Sequence, residues 1–88
     1  MVDNRVYESL KQKLDNQFAW PMLYMFKFIV PEANKEKVVS LFNKHDVTSR
    51  NSKNGNYVSL TIQMFMNSSE DVIEVYKKAS GIDGLIAL

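Results

Sequence analysis

The chain contains no cysteine, which excludes disulfides and thiolate metal sites and suits a reducing compartment. It has one histidine, His45, where a useful metal site needs three or four ligands. It lacks an excess of charge of either sign, with 11 basic and 10 acidic residues. A dedicated nucleic-acid binder carries a strong basic surplus. It also lacks a membrane-length apolar run. The longest, residues 18–30, contains Pro21 and Lys27 and falls well short of the ~20 residues a spanning helix needs. The opening Met1-Val2-Asp3-Asn4-Arg5 has no basic region leading into an apolar one, so no secretory signal is expected. The expectation is a cytoplasmic chain with no cofactor, no metal, no membrane attachment and no nucleic-acid partner.

What remains is 88 residues, 45% hydrophobic and 24% charged. A chain of this size forms one domain with one modest core, burying roughly 60–65% of the surface its unfolded form exposes. Its three glycines and two prolines fall at expected turns and element boundaries.

Residues 3–16 read as a helix, capped by Asp3 or Asn4, with Val6, Tyr7, Leu10 and Leu14 on one stripe. The stripe is thin, so this helix is expected to lie on the rest of the domain or on a partner, and the chain is divided into a helical extension at 1–17 and a domain at 18–88. Trp20-Pro21 opposes further helix. Residues 22–30 alternate as a strand, with Met22, Tyr24, Phe26, Phe28 and Val30 toward the core and Leu23, Met25, Lys27 and Ile29 on the other face. A helix follows from Pro31 to about His45, with Val38, Leu41, Phe42 and His45 on its apolar face and Lys35, Glu36, Lys37 and Lys44 on its wet face. Residues 46–53 make a weak, polar strand suited to a sheet edge. Asn54-Gly55 is a hairpin signal, because both residues tolerate positive φ. After it, Val58, Leu60, Ile62, Met64 and Met66 alternate with Tyr57, Ser59, Thr61, Gln63 and Phe65. Ser68-Ser69-Glu70-Asp71 starts a helix with a hydroxyl cap and acids in the first turn. Its stripe is Val72, Ile73, Tyr76 and Ala79, and Gly81 is placed as a left-handed stop. Residues 82–88 form a last strand, kinked at Asp83-Gly84.

After the first helix the order is β-α-β-β-α-β. This predicts an α+β ferredoxin-like sandwich, a four-stranded antiparallel sheet in order 4-1-3-2 with two helices on one face. The other face is then open. Several large apolar residues there ask for a cover: the N-terminal helix, a second copy, or a partner.

The segments Leu23-Tyr24-Met25-Phe26-Lys27-Phe28-Ile29, Ser52-Lys53-Asn54-Gly55-Asn56-Tyr57-Val58-Ser59-Leu60-Thr61 and Ile82-Asp83-Gly84-Leu85 resemble the YbeD-like family of small bacterial proteins of unknown function. The resemblance covers residues 20–88. It implies a ferredoxin-like fold similar to the ACT regulatory domains that bind amino acids, and one branch is linked by name to regulation of lipoate metabolism. It carries over no catalytic residue. Members often have glycine just after the first strand, where this chain has Ile29-Val30-Pro31-Glu32. In ACT domains such a glycine lets the backbone approach a ligand.

The residues offer no nucleophile, base and orienter set, so no enzyme is expected. His45, placed at a helix C-terminus, reads as structural. Lys27 beside Ser59 and Thr61 could hold a carboxylate, although alternation alone already places polar residues there. Tyr57 and Phe65 could stack bases, as in RNA-recognition modules of this fold, but the glycine-aromatic pattern of that module is missing. The expected function is a regulatory or adaptor domain that contacts an unknown protein, a second copy first, through Leu23, Met25, Lys27, Ile29, Tyr57, Ser59, Thr61 and Phe65. An ACT-like sensor of an amino acid or carboxylate is the alternative.

Overall fold

The computed structural model describes residues 4–43 and 45–88. The two apolar alternations become its longest strands, β1 (Met22–Pro31) and β3 (Tyr57–Met66). They pair antiparallel along their whole length, from Met22 opposite Met66 to Pro31 opposite Tyr57. Phe26, Phe28 and Val30 of β1 and Val58, Leu60 and Ile62 of β3 are fully buried on one side. Burying each such side chain contributes about 1.5–3 kcal/mol, so this double row is the main source of stability. The polar strand β2 (Val47–Asn51) lies outside β3, and β4 (Ile86–Ala87) lies outside β1, giving the order β2-β3-β1-β4. The architecture is α+β, with an open four-stranded antiparallel sheet and three helices.

Helices α2 (Lys35–Leu41) and α3 (Ser69–Ala79) cover the buried side of the sheet. Val38 and Phe42 from the first region and Val72, Ile73 and Ala79 from the second join one core with the sheet residues. Aromatic rings knit the layers together: Phe28 stacks on Phe42 at 6.0 Å, and Phe26 meets Tyr76 edge-on at 5.4 Å. Ser68 caps α3, its hydroxyl accepting from the Asp71 N–H at 3.2 Å.

Helix α1 (Asn4–Gln17) packs on α3 and on this same core. Leu14 is buried, and Tyr7 and Leu10 lie against it. Lys77 of α3 sits 4.9 Å from the Tyr7 ring centroid, a cation–π contact. At the end of α1, Asp15 accepts from Lys11 at 2.9 Å and from the Trp20 indole at 3.0 Å. Hydrogen bonding by Lys11 foremost, then by the Ser69 hydroxyl, holds the Asp15 carboxyl below the ordinary carboxylate range. The first helix therefore lies on the helical side and leaves the outer sheet face bare. Asp3 and the Asn4 side chain, expected as its cap, and Lys44, expected on the wet face of α2, lie outside the described residues.

Four expectations change. The second helix stops at Leu41, because Phe42 (φ −120°, ψ 33°) has left helical geometry and its N–H turns back to the Val39 carbonyl. A 3-10 turn, Glu32–Asn34, precedes it. Leu41 and His45 are consequently exposed, so the apolar face keeps only Val38 and Phe42, with Val39 partly covered. The hairpin loop is longer than a two-residue turn: Gly55 is left-handed (φ 72°) and its N–H reaches the Ser52 carbonyl, while Asn54 keeps negative φ.

Gly81 is not left-handed. The Ser80 N–H donates to the Tyr76 carbonyl, its hydroxyl to the Lys77 carbonyl and the Ile82 N–H to the Ala79 carbonyl, so these carbonyls at the end of α3 are satisfied without such a residue. The left-handed glycine is Gly84 (φ 76°). A Cβ there would fall 2.7 Å from Pro31 Cγ. The chain turns over residues 82–85 to reach that contact, which shortens the last strand from 82–88 to Ile86–Ala87.

Candidate interaction surface

The outer face of the sheet is built by the alternate positions that point away from the core. Register fixes its rows. Leu23 stands opposite Phe65, Met25 opposite Gln63, Lys27 opposite Thr61, Ile29 opposite Ser59, and Pro31 opposite Tyr57. On the β2 side Thr61 faces Thr48 and Ser59 faces Arg50. All eight side chains expected on this face are there.

Their exposure is uneven. Leu23 (54%), Met25 (51%), Tyr57 (49%) and Phe65 (62%) are open to solvent. Lys27 is exposed, and Ile29, Ser59 and Thr61 are partly covered by their neighbours. Leu23, Met25 and Phe65 form an apolar cluster at one end of the sheet. Tyr57 lies at the other end of β3 from Phe65, about 27 Å along the strand.

Sequence reasoning missed the contribution of β4. Ile86 pairs with Ile29, and the Leu88 N–H donates to the Lys27 carbonyl at 2.9 Å. That register places Ile86 and Leu88 on the same outer face, and both are exposed. Among the described residues, six of the eight exposed large apolar ones are thus on one face: Leu23, Met25, Tyr57, Phe65, Ile86 and Leu88; Val6 and Leu41 lie on helices. Scattered exposed apolar residues are ordinary, whereas a set gathered on one face is not. The signal for Ile86 and Leu88 was their spacing of two, legible only once the strand starts after Gly84.

His45 lies at the rim of this face. With Leu23, Asp46, Thr48, Thr61 and Gln63 it lines a wide, shallow hollow of about 680 Å³. At the other end Ile29, Arg50, Tyr57 and Ser59 help to line a smaller one of about 190 Å³. Lys27 does face a hydroxyl row, with Thr61 directly opposite and Thr48 beyond it. Among the described residues no group of three or more His, Asp or Glu side chains gathers as a metal site, and no helix is long and apolar enough to cross a membrane.

Residues 15–87 match the family described as "Protein of unknown function (DUF493)", and the chain belongs to that family. Two UPF0250 proteins, from Shewanella sp. (strain ANA-3) and Shewanella sp. (strain MR-4), are each 28% identical over 83 residues, covering 86% of this chain and 94% of the relative. No solved structure matches. The YbeD-like resemblance carried by residues 23–29 and 52–61 agrees with this membership.

Proposed function

We propose that this chain is a non-enzymatic regulatory or adaptor domain that works through protein–protein contact, with a second copy of itself as first partner. The fold is read as ferredoxin-like. The observation that carries the proposal is the gathering of Leu23, Met25, Phe65, Ile86 and Leu88 on a sheet face that no described helix covers. A two-fold arrangement would set this face against its own image, burying the apolar residues with Lys27, which stands between Leu88 and Thr61, among them, and leaving Thr48 and Arg50 of the edge strand β2 at the rim. Polar rims around apolar centres are the usual anatomy of such contacts.

RNA stacking is not favoured. Tyr57 and Phe65 are too far apart to hold neighbouring bases, and net charge is +1. An ACT-like sensor rests on resemblance alone, and Pro31 packs on Gly84 in the loop where such domains admit their ligand. The test is solution mass, comparing the full chain with a variant in which Met25 is replaced by Asp.

A further inference from the structure

The outer face of the sheet carries nearly the same order of side chains from either end. Its middle row is Lys27 beside Thr61 and Thr48. One row to one side, Met25 stands beside Gln63, and one row to the other, Ile29 stands beside Ser59. The outermost rows each set an apolar β1 residue beside a ring of β3, Leu23 with Phe65 and Pro31 with Tyr57. Apolar side chains of β1 therefore lie at matching distances on both sides of Lys27, and the polar and aromatic ones of β3 lie at matching distances on both sides of Thr61.

Charge along the edge strand is opposed about the same line. Asp46 directly precedes β2, continues its outward alternation and lines the same hollow as Thr61 and Gln63. Arg50, opposite Ser59, lies equally far beyond Thr48 on the other side. The two are about 13 Å apart along the strand, too far to pair within one copy. Neither joins an ion pair among the described residues.

A surface with symmetric apolar order and opposed charges about one line is complementary to itself under a two-fold axis on that line. We infer that a second copy docks on this face with its strands reversed, the axis crossing the strands at Lys27 and Thr61, so that Arg50 of each copy meets Asp46 of the other. The inference rests on the proposed self-association through the outer face and adds its arrangement and the residues that select it. Met25 then covers Ile29 of the second copy, and Phe65 covers its Tyr57. Packed sheets lie about 10 Å apart with strands about 30° from alignment, an offset that the long Arg50 side chain can span. Lys27 stands over its own copy, and its stem lets the two ammonium groups part along the strands to either side of the axis. A two-fold running along the strands would instead keep each row on itself and leave Asp46 and Arg50 unpaired.

The test is the dimer dissociation constant by analytical ultracentrifugation, for the full chain, Asp46→Lys, Arg50→Glu and an equimolar mixture of the two variants. Each variant alone sets like charges together at both contacts and should associate about tenfold more weakly. In the mixture the two chains carry opposite charges at both contacts, so association should return to within about threefold of the parent. Cross-linking with a short bis-maleimide gives a second reading, since the chain has no cysteine of its own. Phe65→Cys mixed with Tyr57→Cys should cross-link, whereas Phe65→Cys alone should not, its two thiols being about 27 Å apart. Variants as tight as the parent, a mixture no tighter than its components, or cross-linking of Phe65→Cys alone overturns this arrangement and leaves self-association standing. A full chain that does not associate overturns both.

Discussion

Tyr24 and Tyr76 meet hydroxyl to hydroxyl at 3.0 Å, tying β1 to α3 where both are only partly buried. Burial first, and then the bond with Tyr24, pushes ionisation of the Tyr76 hydroxyl above the tyrosine range. Tyr76→Phe should therefore cost about 1 kcal/mol, seen as a lower urea midpoint at unchanged slope. The same pair sets an alkaline limit. An unfolded tyrosine ionises near pH ~10, below the folded value, so the contribution is intact below that pH and is lost as pH rises past it. The variant should lose less stability than the parent above pH ~10. Parallel pH profiles would contradict the pairing.

Gly84 and Gly81 should behave oppositely. Gly84→Ala forces a side chain into left-handed geometry against Pro31, whose Cγ would lie 2.7 Å away. A loss of about 2 kcal/mol or more is expected. At Gly81 the nearest atom to an added Cβ is the Lys78 carbonyl oxygen at 3.7 Å, so Gly81→Ala should stay within about 0.5 kcal/mol. Thermal or urea unfolding of both variants checks this, and equal losses would refute it.

That contrast shows what sequence carries and what it leaves out. The long strands, the order of elements and the outward set on β1 and β3 were legible because an alternation of two has one solution when one face is buried. Helix ends and glycine roles were not. The end of α2 depends on the backbone of Phe42, and the stop after α3 on the Ser80 hydroxyl, neither of which has a spacing signature. The position of α1 was also hidden. Its thin stripe fits either side of the sheet, and only the packing of Leu14 into the shared core decides for the helical side.

Helix α1 is consequently part of the folded body. Leu14→Ala should cost about 2–5 kcal/mol, as expected for a buried leucine. A helix that served as a removable lid would tolerate the change with little loss. Urea unfolding distinguishes these outcomes.

Asp15 offers an optical readout. Trp20 is the chain's one tryptophan, and its indole donates to Asp15. Asp15→Ala should change Trp20 emission at neutral pH. In the parent, the depressed carboxyl keeps its contribution above the unfolded carboxylate range and loses it as pH falls through the folded value. Acidification should therefore alter Trp20 emission before the core unfolds, and the variant should lack that early step. An unchanged spectrum in the variant would remove the Asp15–Trp20 bond from the account.

The central claim is that the outer sheet face is a contact surface. Its most direct test is solution mass by light scattering across a concentration series, for the full chain, for Met25→Asp and for Leu41→Asp. Leu41 is a comparably exposed apolar residue on α2, away from the sheet. The account predicts association of the full chain and of Leu41→Asp, and a monomer for Met25→Asp. An unchanged oligomeric mass in Met25→Asp, or a full chain that stays monomeric throughout, would contradict it.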